Sequence, residues 1–272
     1  MIQVPAKALP AAAQTELQRY QQEVDAEPDY AARVGLAKDR FSGRNRKDNP
    51  VFQEIRGALT EMCSGANRCM YCEDSCADEV EHIKPKNFYP EAVFVWENYL
   101  YACGICNGGK NDSYAVFDDA TAQILPVSRK HGDPVVPPPA GRDVFLNPRQ
   151  EAPTRFLILD LRGTFAFLPY PDLHASDQQR AKYTIDVLNL NRDVLLRARR
   201  NAYGNYRNLL ELYALKEEQG KPDDELEALK ETRRLSPHPS VWFEMTRLWD
   251  KIPELTALFQ RVPEALTWQL ER

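Results

Sequence analysis

The sequence has no uninterrupted run of about eighteen apolar residues, the length a membrane-spanning helix needs, so a helical membrane protein is not expected. Its opening stretch, MIQVPAKALPAAAQTELQRYQ, carries one lysine and only a broken apolar run, which is not the pattern of a secretory leader. A cytoplasmic location is expected. No internal repeat and no long low-complexity segment is present, which excludes a solenoid and an extended disordered tail. Positive charge is short as well: 35 Lys and Arg against 40 Asp and Glu leave a net charge of −5, a poor balance for a protein that coats nucleic acid unaided. Histidine is scarce, with four in 272 residues.

Cysteine, by contrast, is concentrated. All six (Cys63, Cys69, Cys72, Cys76, Cys103 and Cys106) fall within one window of 44 residues. Without a secretory signal such clustering favours metal over disulfides. Cys69-x2-Cys72 and Cys103-x2-Cys106 are two thiolate pairs, each suited to two corners of a Zn²⁺ tetrahedron. Cys63 and Cys76 lie outside the pairs and are expected to be small packing residues.

The chain divides around this window. Residues 11–36 are expected to be helical, and RFSGRNRKDNP is expected to be a basic break ending in a helix start, Asn49-Pro50. The next helix, to about Met62, puts Val51, Phe52, Ile55, Leu59 and Met62 on one face, the pattern of a core helix. VSRKHGDPVVPPPAGRD is an extended connector. In TRFLILDLRGTFAFLP two β-rich runs flank Arg162-Gly163, a hairpin, and past Ala175 the chain is expected to be helical to its end, punctuated by Pro222, Pro237, Pro239, Pro253 and Pro263.

The segment EVEHIKPKNFYPEAVFVWENYLYACGICNGGKND, Glu79 to Asp112, holds the remaining chemistry. A helix from Cys103 places Cys103, Cys106, Asn107 and Lys110 on one side. EVEHI is expected to be a strand, and a regular strand sends Glu81 and His82 to opposite faces. Both reach one phosphate only at a strand end or a bulge, for which Pro85 is a fitting neighbour.

The order CxxC, Glu-His-Ile-x-Pro, Asn, Cys-x2-Cys-Asn-x2-Lys, over about residues 68–112, resembles the HNH endonuclease family, whose core is a ββα-metal finger. RCMYCED, EHIKPK, NYLYACGICNGGK, FLNP and TIDVLNLNRDVL are similar to one branch, the HNH subunits of Septu-type antiphage systems. Together with the pattern along the chain, the resemblance leads to an expected α+β fold: a zinc-stapled ββα-metal core at 61–120, a helical N-terminal segment at 1–60, a Pro-rich connector at 121–141 and an accessory region of hairpin plus helices at 142–272. It implies structural zinc on Cys69, Cys72, Cys103 and Cys106, His82 as general base, Asn98 orienting that histidine and its loop, and Lys110 on a phosphate. Glu81 and Asn107 match the positions that hold a catalytic Mg²⁺ or Mn²⁺. Asn107 departs from the histidine common at its position, and Glu81 from the common aspartate. The implied activity is hydrolysis of a phosphodiester in DNA or RNA, with an ATPase subunit as partner. A zinc-bound adaptor without catalysis and a stand-alone nuclease are the competing classes.

Two basic stretches are candidate phosphate-facing surfaces, with solvated helix faces as the alternative. Residues 180–207 carry seven Lys or Arg against two acids, a local charge of +5, and a second group is Arg40, Arg44, Arg46 and Lys47. Neither is rich in aromatics, so stacking on single strands is not suggested. His131, His174 and His238 are expected to be surface residues.

Overall fold

The computed structural model describes residues 1–268; residues 269–272, the end of the expected C-terminal helical region, lie outside the described residues. In chain order the helices and strands are α1 (Ala11–Asp25), α2 (Tyr30–Arg44), α3 (Pro50–Met62), β1 (Glu79–His82), β2 (Tyr99–Ala102), α4 (Gly104–Lys110), β3 (Tyr114–Phe117), β4 (Ile124–Val127), β5 (Arg142–Asp143), β6 (Leu157–Leu159), β7 (Phe167–Pro169), α5 (Ala175–Val187), α6 (Asp193–Glu218), α7 (Asp223–Leu235), α8 (Pro239–Arg247) and α9 (Pro253–Arg261). Among the described residues this is an α+β arrangement of helices around three small antiparallel sheets, ordered β1-β2, β4-β3-β5 and β6-β7.

Local chemistry explains several boundaries. Asn49 caps α3, its side-chain oxygen accepting from Val51 N at 2.9 Å and Phe52 N at 3.3 Å, with Pro50 at the first helical position where a missing N–H costs nothing. Phe52, Ile55, Leu59 and Met62 are buried from that helix as the periodicity predicts. Each contributes roughly 1.5–3 kcal/mol by removing its side chain from water. The hairpin is as expected: β6 and β7 pair Leu157 with Pro169 and Leu159 with Phe167. The Asp160 carboxylate closes its turn by accepting from the backbone N–H groups of Arg162, Gly163 and Thr164.

Elsewhere tertiary packing overrides the local reading. The expected helix over 11–36 is two helices, because Pro28 interrupts the chain and Asp29 starts α2 by accepting from Ala32 N at 2.8 Å. The expected break at RFSGR is helical through Arg44, since buried Phe41 fastens the last turn of α2 to the core despite Ser42 and Gly43. The Pro-rich stretch is bracketed by β4 and β5, both paired to β3.

One hydrophobic cluster runs from Met1 to Ala265 and takes in α1, α3, β1, β2, the hairpin and the C-terminal helices. A smaller one, Ala115, Phe117 and Val144, lies under the middle sheet. The first helices roof the β1-β2 pair: Tyr20 meets Phe94 edge-on with centroids 5.4 Å apart, and Phe41 meets Phe52 at 5.7 Å. Among the described residues no helix is long and apolar enough to cross a membrane.

Candidate metal centre and adjoining histidine site

Cys69 and Cys72 lie on a tight loop ahead of β1, closed by Cys69 N donating to Ser75 O at 2.8 Å and Glu73 N donating to Cys69 O at 2.8 Å. Met70 N donates to Tyr101 O at 3.0 Å, which fixes the loop against β2. Cys103 is the residue preceding α4 and Cys106 sits in its first turn. The four Sγ atoms lie within 4.8 Å of one another, all buried, with Cys72 Sγ 3.9 Å from Cys103 Sγ.

That spacing fits a metal. Four sulfurs at about 2.3 Å from a central Zn²⁺ stand about 3.8 Å apart, whereas a disulfide needs about 2.05 Å. Hydrogen bonds from neighbouring sulfurs, Cys103 first, push the Cys69 and Cys106 thiols up. Four thiolates therefore do not ionise together without a cation among them, and the cluster suits a structural metal such as zinc. Cys63 is buried as expected, but Cys76 is exposed, with Asn67 Nδ2 donating to its sulfur at 3.6 Å.

From this staple the chain enters β1. In its register with β2, Glu81 faces Leu100 and His82 faces Tyr99. Alternation holds through the pair, and the two side chains take different surroundings. The His82 ring packs edge-on against Phe41 of α2 at 4.4 Å and Tyr99 at 5.2 Å, and is 4% exposed. Its Nε2 lies 2.9 Å from Val93 O. A carbonyl only accepts, so Nε2 carries the proton and Nδ1 the lone pair. Tyr99 OH donates to the same carbonyl at 2.7 Å. Burial, then the charge of Lys86, and to a lesser degree Lys110, pull the imidazole pKa down to about 3 against the support of the Val93 bond. The ring is thus uncharged across the physiological range.

Glu81, by contrast, is paired with Lys110 across to α4, Nζ to Oε1 at 2.6 Å, and Lys110 also donates to His82 O at 2.8 Å. Burial raises the Glu81 pKa, partly offset by Lys110. Lys110, expected on a phosphate, has no exposed surface here, and its charge faces Glu81. Asn107 Nδ2 donates to Glu79 Oε2 at 2.6 Å. Glu81 and Asn107, the expected cation donors, sit on facing elements, and each is held by a different partner.

Asn98, expected to orient the histidine and its loop, hydrogen-bonds the backbone of that loop. Its Oδ1 accepts from Lys84 N at 2.7 Å, and its Nδ2 donates to Lys84 O at 3.1 Å and Ala92 O at 2.9 Å. Both ends of the loop that carries Val93 are thereby fastened.

Sequence reasoning passed over two neighbours. Lys86 lies 5.5 Å from the centre of the Phe41 ring, the same ring that packs on His82, and is half-buried. Glu79 is the partner of Asn107. Position on the strand was the available signal for Glu79, two residues before Glu81 on the same face; for Lys86 it was only closeness to His82 in EHIKPK.

Many charges of the basic stretches are already paired, several of them at the surface. Arg180 pairs with Glu151, Lys182 with Asp186 at 2.7 Å and Arg207 with Glu254 at 3.5 Å. Arg199 is buried on the carbonyls of Phe165 and Leu190 at 3.1 and 2.6 Å. Arg40 and Arg44 share Glu23, and Arg46 meets Asp48. His238, expected at the surface, is 1% exposed, with Nε2 3.1 Å from Asp74 Oδ1, because the start of α8 closes over the cysteine loop. His131 and His174 are exposed, and His174 begins α5.

No protein-family model matches the chain. Over 61 residues it is 46% identical to the Septu protein PtuB of Bacillus thuringiensis, a stretch that covers 21% of this chain and 23% of that protein. The chain is therefore similar to a Septu protein over less than a quarter of either length.

Proposed function

We propose that the protein is a nuclease that hydrolyses phosphodiester bonds of nucleic acid, acting as the nuclease component of a Septu-type antiphage system beside an ATPase. The observation that carries this reading is His82, an uncharged imidazole at the end of a strand stapled by the four-cysteine centre. Nε2–H on Val93 O leaves Nδ1 free to take a proton from water. The same carbonyl fixes the tautomer and the orientation of the ring, the role that a base needs from its second nitrogen. Lys86, half-buried beside the same aromatic ring, is the cation best placed to meet a phosphate. Zinc on Cys69, Cys72, Cys103 and Cys106 supplies rigidity to β1, β2 and α4. Because Glu81 is already paired with Lys110 and Asn107 with Glu79, no step is assigned to a second cation. The similarity to a Septu protein supports the defence role and the ATPase partner, which also accounts for an acidic chain gaining access to an acidic substrate.

The test is incubation of purified full-length protein with plasmid, single-stranded DNA and RNA, with Mg²⁺ or Mn²⁺, with and without a Septu-type ATPase. His82→Ala should keep fold and zinc and lose about 10²–10⁴-fold in cleavage. The adaptor reading is favoured by one feature, the locking of Glu81 by Lys110 in a buried pair. Nucleic-acid binding without cleavage under every condition, unaltered in His82→Ala, would establish it instead.

A further inference from the structure

One segment singled out in the sequence, TIDVLNLNRDVL, is absorbed by neither the metal centre nor the histidine site. In the fold it is the turn between α5 and α6. Thr184 Oγ1 accepts from Leu146 N at 2.9 Å, and Leu190 N donates to Ile185 O at 3.0 Å. Asn189 takes a left-handed backbone with φ of 45°, a conformation asparagine tolerates better than most residues. Asn191 grips Phe167 of the hairpin on both sides, Oδ1 accepting from its N–H and Nδ2 donating to its carbonyl, each at 2.8 Å.

What this turn delivers is Arg192, the residue immediately before α6. Its Nη1 donates to Asn189 O at 3.2 Å, which steadies the guanidinium, and its Nη2 lies 3.9 Å from Cys106 Sγ. A divalent cation with four thiolates carries a charge of −2, and all four cysteines here are at most 4% exposed. Such a charge is costly away from water unless donors face it. Arginine suits the task, since its charge is permanent, delocalised and weakly hydrated.

We propose that Arg192 is a positioning residue of the four-cysteine metal centre, a donor from the C-terminal region that orients the Cys106 thiolate and offsets part of the charge of the loaded cluster. Through Arg192 the long helix α6, and the α7, α8 and α9 helices packed on it, are tied to Cys106, 86 positions earlier in the chain. The inference does not depend on the nuclease reading, because it concerns metal affinity alone.

The experiment is competition for Zn²⁺ between a chromophoric chelator and full-length protein: wild type, Arg192→Ala, Arg192→Gln and Asn191→Ala. Loss of a partner to a metal ligand typically costs 10–100-fold in affinity, and Arg192→Ala should fall in that range. Arg192→Gln, which keeps N–H donors without the charge, should lie between it and wild type. Asn191→Ala loosens the same turn but leaves the donor in place, so it should lower thermal stability and keep wild-type zinc affinity. Wild-type affinity in Arg192→Ala would overturn the assignment. So would an equal loss in Asn191→Ala, since Arg192 would then matter only as part of the turn. If Arg192→Ala does not fold, Arg192→Gln decides: weaker zinc binding supports the role, and unchanged binding removes it.

Discussion

Lys110 Nζ lies 2.6 Å from the Glu81 carboxylate, with side chains 0% and 6% exposed, and it donates to the carbonyl of His82 in the same reach. One buried cation thus joins α4 to the strand that ends in the imidazole. Removing one partner from such a pair strands a charge in a poor solvent. Lys110→Met is expected to cost about 3–5 kcal/mol in urea unfolding. The double variant Lys110→Met/Glu81→Gln, which leaves no bare charge, should recover a good part of that loss. An equal cost in single and double variants would mean that the lysine acts by packing.

The metal centre makes a second prediction. Since structural zinc contributes folding free energy outright, metal analysis should find one zinc per chain, and Cys69→Ser or Cys106→Ser should give insoluble or loosely packed protein. Chelation at equilibrium should lower the melting temperature of wild type. Well-folded, metal-free wild-type protein of unchanged melting temperature would contradict it.

A third concerns pH. The His82 pKa falls to about 3 in the fold, from an ordinary value near 6.5 in the unfolded chain. Above about 6.5 both states are neutral and the histidine has no effect on stability. As pH falls from 6.5 toward 3 the unfolded chain binds a proton that the folded one refuses, so stability is lost at about 1.4 kcal/mol per pH unit. Relative to His82→Asn, which keeps an amide but does not titrate, wild type should lose stability by that slope in urea unfolding between pH 6 and 4. Parallel pH dependences would show that the ring is protonated in the fold.

Asn98 offers a fourth. Its three hydrogen bonds tie Lys84 to Ala92. Asn98→Ala leaves those backbone groups unsatisfied and should cost about 1–3 kcal/mol. If the loop positions Val93 O for His82, hydrolysis should fall further than stability explains, measured at a temperature where the variant stays folded. Full activity at reduced stability would confine Asn98 to the fold.

Much of the site was legible because its signals are local. Each Cys-x2-Cys pair brings its own two ligands together by spacing alone. Asn49-Pro50 carries its own capping geometry, and an Arg-Gly turn between two β-rich runs is a hairpin whatever surrounds it. The strand at Glu79–His82 and the helix after Cys103 likewise follow from patterns a few residues long.

What each charged or polar side chain finally meets was decided by the tertiary structure. Nothing near Lys110 in the sequence says that it ends on Glu81 rather than a phosphate, and nothing near Arg192 points to Cys106. Phe41 keeps a glycine-containing turn helical and covers His82 because the core lies beneath it, and His238 is buried because α8 closes on the cysteine loop. Periodicity and spacing specify faces and ligand pairs, whereas desolvation and ion pairing depend on which distant surfaces meet, and that is set only when the chain is packed.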